Sequence, residues 1–220
     1  MASPLRLVPL SLVAVLAACK TAPAPEPDAP EPVVVVEDEP AWRQAAADED
    51  VDRIERLPMA WTEALNEARR AGFTRAVAVE EALLRPGAAL ARPAPAPGSY
   101  QCRVLKLGGK GRARAFQRFN SQFCYIGVDG EQLTLTKQTG SDLPGGFLLD
   151  DKGPRMIFLG ANQAAGEDAP PAYGEKPERN VAGVIERIGP LRFRLLIPFP
   201  REEAKLIVME MTPSPVQPED

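Results

Sequence analysis

Histidine is missing from the whole 220-residue chain. That absence removes Ser-His-Asp and Cys-His triads, HExxH zinc sites and histidine-based phosphoryl transfer, since each needs an imidazole as base, acid or ligand. Cysteine is scarce too, at three residues. Without histidine, the two that lie beyond the N-terminal segment make a poor zinc set, because structural sites take four Cys or His ligands. Phosphate-cradling loops are also lacking: Gly108, Gly109 and Gly111 precede arginines rather than a helix carrying Lys-Ser. No apolar run reaches the roughly 20 residues that a membrane-spanning helix needs. No metal and no other cofactor is expected.

What is present first is an export signal. Residues 1–6 carry one positive side chain, residues 7–16 are almost wholly apolar, and Leu16, Ala17 and Ala18 close on Cys19. Small residues directly before a cysteine are the cleavage pattern of a lipoprotein signal, so residues 1–18 are read as a signal peptide and Cys19 as the lipidated N-terminus. Several acyl chains give a stable anchor, because each buried methylene adds about 0.8 kcal/mol and one chain alone binds marginally. Lys20 follows the cysteine where an aspartate would retain the protein in the inner membrane, which favours the outer membrane. The expected location is therefore the cell envelope, facing the periplasm, with the membrane as partner through the lipid.

Charge and composition then divide the chain. Residues 19–52 hold two basic side chains against ten acidic ones, whereas residues 53–220 hold 23 basic against 20 acidic. Residues 19–44 are rich in proline, alanine and acid, cannot bury enough apolar surface to offset ordering, and read as a tether. Between 45 and 92, Val51, Ile54, Leu57, Trp61, Leu65 and Ala68 recur at three and four residues, the period of one helix face. Pro58 predicts a kink or two abutting helices, Gly72 a left-handed stop, and residues 75–84 a second short helix, together a helical hairpin lying on the β domain.

After the proline-rich joint at 92–97 the period becomes two. Residues 100–107, 123–128, 132–137, 146–150, 155–160, 181–188, 191–198 and 205–211 read as strands, with Asp129-Gly130 a two-residue hairpin signal. The expected class is mainly β with an N-terminal helical section. About eight sequential antiparallel strands across 98–213 give an up-and-down barrel or strongly curled sheet, because closure removes exposed edges. Such barrels either fill with side chains or hold one small ligand. Residues 214–220 read as a disordered tail, and the connection 161–180 as a lid or a disordered loop. Cys102 and Cys124 fall on the first two of these strands in an oxidising compartment, which predicts one disulfide worth about 3 kcal/mol by chain entropy.

The loop this bond closes is the most unusual local composition. Arg103, Lys106, Lys110, Arg112, Arg114 and Arg118 occur with no acidic residue between them, interleaved with Phe116 and Phe119. Such a patch suits an anionic envelope lipid or an acidic envelope protein, or serves solubility alone; the compartment argues against nucleic acid. Catalytic alternatives reduce to a Ser/Lys pair, Ser141 with Lys137, and to carboxylates. No Ser-x-x-Lys motif accompanies the first, Glu186 beside Arg187 is expected to be ion-paired, and Asp150-Asp151 sit in a turn.

The segments RIERLPMAWTEALNEAR, PGSYQCRVLKLG, LTLTKQTGS, FLGA, GVIERIG and RFRLLIPFP resemble an uncharacterised bacterial family, a domain of unknown function found in envelope lipoproteins. The resemblance covers about residue 45 to the C-terminus. It implies this layout and no activity. Tyr100-Gln101-Cys102 is loosely similar to small barrel lipoproteins that inhibit lysozyme, but their Ser-Gly segment with a following tyrosine is not evident here. The reading is thus a non-catalytic binding or structural module contacting an envelope component, with a Ser141/Lys137 hydrolase of envelope polymers or an inhibitor of a cell-wall hydrolase as alternatives.

Overall fold

In the computed structural model the described residues are 39–201 and 204–215. Cys19, the signal segment and the tether as far as residue 38 lie outside them, as do residues 216–220. The strands are β1 (Gly98–Leu107), β2 (Phe116–Arg118), β3 (Gln122–Asp129), β4 (Gln132–Lys137), β5 (Leu143–Asp150), β6 (Arg155–Gln163), β7 (Asn180–Gly189), β8 (Arg192–Pro198) and β9 (Leu206–Pro213). Each of β3 to β9 pairs antiparallel with the next, β3 pairs with β1, and β9 returns to β1 along Tyr100 to Leu107. Eight strands therefore close an up-and-down barrel, with β2 as an extra strand.

Alternation along the pleat builds two cores from the same strands. Cys102, Ile126, Leu135, Leu148, Phe158, Ile185, Leu195 and Met209 fill the barrel interior. Leu105, Leu107, Ile157, Val184, Leu196 and Val208 face outward and are covered by the helical section. Cys102 and Cys124 are bonded inside the barrel, their Cα atoms 5.9 Å apart, and tie β1 to β3. The curl tightens where Gly146 faces Gly160 across β5 and β6. A Cβ at Gly146 would stand 2.2 Å from the Leu159 carbonyl oxygen, and one at Gly160 2.3 Å from that of Gly145, so only bare backbones approach this closely.

The helical section comprises α1 (Ala41–Ala45), α2 (Asp48–Glu55), α3 (Leu57–Arg70), α4 (Thr74–Ala78) and a 3-10 turn at Glu81–Leu84. It begins before residue 45, the limit set by composition, because Trp42 is fully buried and donates its indole N–H to Asp151 at 2.8 Å. It runs as four short helices rather than as a two-helix hairpin. Pro58 is tolerated in the first turn of α3, where its missing N–H has no helical partner anyway. Gly72, at φ +93°, ends α3: its N–H bonds the Arg69 carbonyl and the Phe73 N–H bonds that of Ala68, a Schellman closure. Ile54, Leu57, Trp61, Leu65 and Ala68 of the predicted stripe are buried against the barrel.

Several strand-level details differ from the sequence reading. The β3–β4 loop is Gly130-Glu131, since Asp129 pairs with Gln132 and Gly130 takes φ +60°. Strand β2 lies inside the predicted loop. At the tail, Ser214 is still laddered, its N–H donating to Ser99 at 2.9 Å.

Candidate functional site

Strand β1 divides one edge between two partners. Residues 98–102 pair with β3, residues 105–107 pair with β2, and residues 119–121 separate the two. Because β2 pairs with β1 alone, the barrel wall is split at one end between β2 and β4. Lys106, Phe119, Gln122, Lys137, Ser141 and Asp142 gather at this split and line a cavity of about 130 Å³. Val104, Val181, Ile197, Ile207 and Met209 form its apolar floor, above the packed interior. Its far wall is made by Arg53 of α2 with Arg179, Asn180 and Arg201. In a ring of eight strands β4 stands opposite β8, and α2 packs against β7 and β8.

Lys137 is only 3% exposed. Its ammonium donates to the backbone carbonyls of Ser141 and Asp142, the latter at 3.1 Å. Burial pulls its pKa below the ordinary lysine value; the Asp142 carboxylate opposes that shift and the neighbouring Lys106 reinforces it. Lys106 contacts Asp142 at 3.0 Å and stands over the Phe119 ring. Arg53 is 4% exposed, with Glu49 and Asp50 carboxylate oxygens 2.9 and 3.0 Å from Nη2. Neither its Nε nor its Nη2 makes a hydrogen bond among the described residues. Asp50 accepts from the Tyr173 hydroxyl at Oδ2, 2.5 Å away, while its Oδ1 faces the Arg53 guanidinium; burial followed by this carboxylate pushes the phenol pKa up.

The connection 161–180 is an ordered strap beside the mouth. Glu167 accepts from the Ala164 N–H, from Lys176 and from Arg179 at 2.8 to 3.0 Å. Tyr173 fastens the strap to α2, and Pro170 lies against Gly145 of β5. The Ala164 N–H, then Arg179 and Lys176, hold the Glu167 carboxyl at about 2 instead of 4.5. A depressed carboxylate pKa stabilises above the ordinary value and is lost only as pH falls through the folded one. Amide exchange at Ala164 is accordingly expected to stay slow at pH 4 and to quicken near pH 2. Release already at pH 4.5 would remove Glu167 as the clasp.

The six cations of the predicted basic patch are dispersed. Arg103, on the outer face of β1, is bound by Glu80 and Glu210 at 2.6 and 2.7 Å, which hold its pKa above the ordinary value. Arg118 bonds Glu80 at 2.8 Å and the Ala76 carbonyl at 3.0 Å. Lys110, Arg112 and Arg114 lie on an exposed turn around α5 (Arg112–Ala115). Lys106 alone of the six lines the cavity. Arg103 and Lys106 are three positions apart, an odd offset, so the pleat sends them to opposite faces. Ser141 and Lys137 share the cavity wall, but the lysine binds the serine's carbonyl oxygen. Glu186 pairs with Arg194, directly across the ladder at 2.6 Å, and Asp151 with Arg155. The sequence reading overlooked Arg53, which looked like the polar side of an amphipathic helix. Its only sequence signal is a cation one turn from three acids.

Among the described residues no group of three or more Cys, Asp or Glu is placed to hold a metal ion. A family model for a domain of unknown function (DUF4893) matches residues 42–211. No curated protein matches the chain. Among solved structures, a redesigned beta barrel is similar at 9% identity and a TM-score of 0.36, over 54% of this chain and 91% of its own.

Proposed function

The chain belongs to the DUF4893 family, a domain of unknown function, and we propose that it is a non-catalytic binding module, lipid-anchored at Cys19 and held in the cell envelope, whose ligand sits in the open end of the barrel. The observation that carries this reading is the cavity itself. One end of the interior is packed by Phe158, Leu135 and Ile185, while the other keeps about 130 Å³ above a floor of Val104 and Met209. A void of that order accommodates a single ring or a short alkyl chain, since an engineered apolar cavity of ~150 Å³ takes up benzene. Apolar walls with a few convergent polar groups are the general form of a small-molecule site.

The envelope address rests on Leu16-Ala17-Ala18-Cys19 and on a disulfide that suits an oxidising compartment. An anionic envelope lipid or an envelope protein is the partner class this address suggests. The Ser141/Lys137 hydrolase remains the catalytic alternative because both residues meet the same cavity. Against it, a lysine that gives two of its three N–H groups to carbonyls is held as a hydrogen-bond donor rather than poised as a base.

The test fills the floor. Met209→Trp is expected to abolish binding of a small apolar fluorophore that the wild-type protein takes up, with the circular dichroism spectrum unchanged. Equal binding by the two proteins would move the ligand site elsewhere.

A further inference from the structure

Resting on that reading of the cavity, we infer that its ligand carries an anionic head, a carboxylate or a phosphate monoester, received by the ammonium of Lys137 on one wall and the guanidinium of Arg53 on the other, with a short apolar tail on the barrel floor. Three observations converge. The first is Lys137, a nearly fully buried cation whose hydrogen-bond partners among the described residues are two carbonyls rather than a carboxylate. Lys106 raises the positive charge beside it. Like charges gathered at a desolvated wall are costly and favour an anion between them.

The second is Arg53, whose Nε and Nη2 are buried without a hydrogen bond although two carboxylates lie close. Buried guanidinium donors are almost always satisfied, and leaving them unspent costs more than for a neutral group. A planar fork at a cavity wall matches the two oxygens of a carboxylate or phosphate. The third is how the charges around the rim are paired: Lys106 meets Asp142, Arg179 meets Glu167, Arg201 meets Glu49, and Arg53 lies between Glu49 and Asp50, whereas Lys137 alone of these wall cations has no carboxylate ion pair among the described residues. Depth separates the two ends of the ligand. On β1 and β9 Lys106 and Ile207 pair toward the opening, and Val104 and Met209 pair one inward-facing layer deeper, so a molecule with one charged end and an apolar remainder fits one way round.

The experiment is a titration of the full chain by calorimetry with six-carbon ligands that differ only at the head, namely hexanoate, hexyl phosphate, hexanol and hexylamine, alongside acetate and inorganic phosphate. One or both anionic six-carbon ligands are expected to bind at least tenfold more tightly than hexanol, with hexylamine weakest and the tail-less anions well below them. Lys137→Met is expected to reduce that preference, read as the ratio of anionic-ligand to hexanol affinity within each protein, at least fivefold, and Arg53→Gln to act in the same direction. Hexanol binding as tightly as the anions overturns the head group and leaves the cavity reading standing. Inorganic phosphate binding as tightly as hexyl phosphate overturns the tail. Failure of all four six-carbon ligands removes the cavity reading and this inference with it. The wild-type series decides the matter even where a variant does not fold.

Discussion

Arg194→Ala is expected to lower the free energy of unfolding by about 3–5 kcal/mol, the range for breaking one side of a buried charge pair. Arg194 is fully buried in β8, between the barrel and the helical section. Its Nε and Nη2 grip the Glu186 carboxylate at 2.8 and 2.6 Å. Its Nη1 donates to the carbonyls of Ala82, Leu83 and Arg85, closing the end of the 3-10 turn, and its guanidinium lies 5.0 Å from the centre of the Trp61 ring. Removing it strands the Glu186 carboxylate and the buried Leu83 carbonyl as unsatisfied acceptors, while the Ala82 carbonyl keeps the Arg85 N–H. Burial lowers the arginine's pKa and Glu186 opposes that shift, so the pair holds together as charge against charge. Urea denaturation measures the effect. Arg194→Met combined with Glu186→Leu is expected to lose much less than Arg194→Ala alone. A single-variant loss under about 1 kcal/mol would refute this role.

Phe158→Ala is the second large effect, again about 3–5 kcal/mol, from lost burial and the hole left behind. Phe158 is completely buried at the packed end of the barrel, and its ring tip would lie 2.6 Å from a Cβ placed on Gly160. The ring thus fills space that the glycine concedes, and neither β5 nor β6 can close in, because their backbones already touch at Gly146 and Gly160. Phe158→Leu keeps most of the volume and is expected to cost under about 1.5 kcal/mol. Thermal or urea unfolding of the two variants separates these values, and similar losses for both would contradict the account.

The barrel was legible in the sequence because its signals are local. Period-two alternation marked eight strands, and glycine and proline marked the turns between them. Strand β2 was not legible: three residues within a run of arginines carry no period, and only the partner edge of β1 makes them a strand. Strand β5 begins at Leu143 rather than 146 because Pro144 and Gly145 carry no strand signal in the sequence, although the ladder to β6 runs through both. The site was less legible because it is assembled across long separations. Lys137 and Arg53 are 84 residues apart in the chain, and nothing local to either announces the other. The basic run misled for a related reason: composition counts charges, while the pleat and buried acids such as Glu80 decide where they point.

The split wall also bears on self-association. Closure of β9 onto β1 leaves β2 as the sheet's one open margin among the described residues, and at three residues it offers a sister molecule about 10 Å of backbone. Arg118 ends that margin with a charge. Short, charged rims are how native sheets discourage templated stacking, so crowding of many copies on one surface leaves this protein with little backbone by which to polymerise.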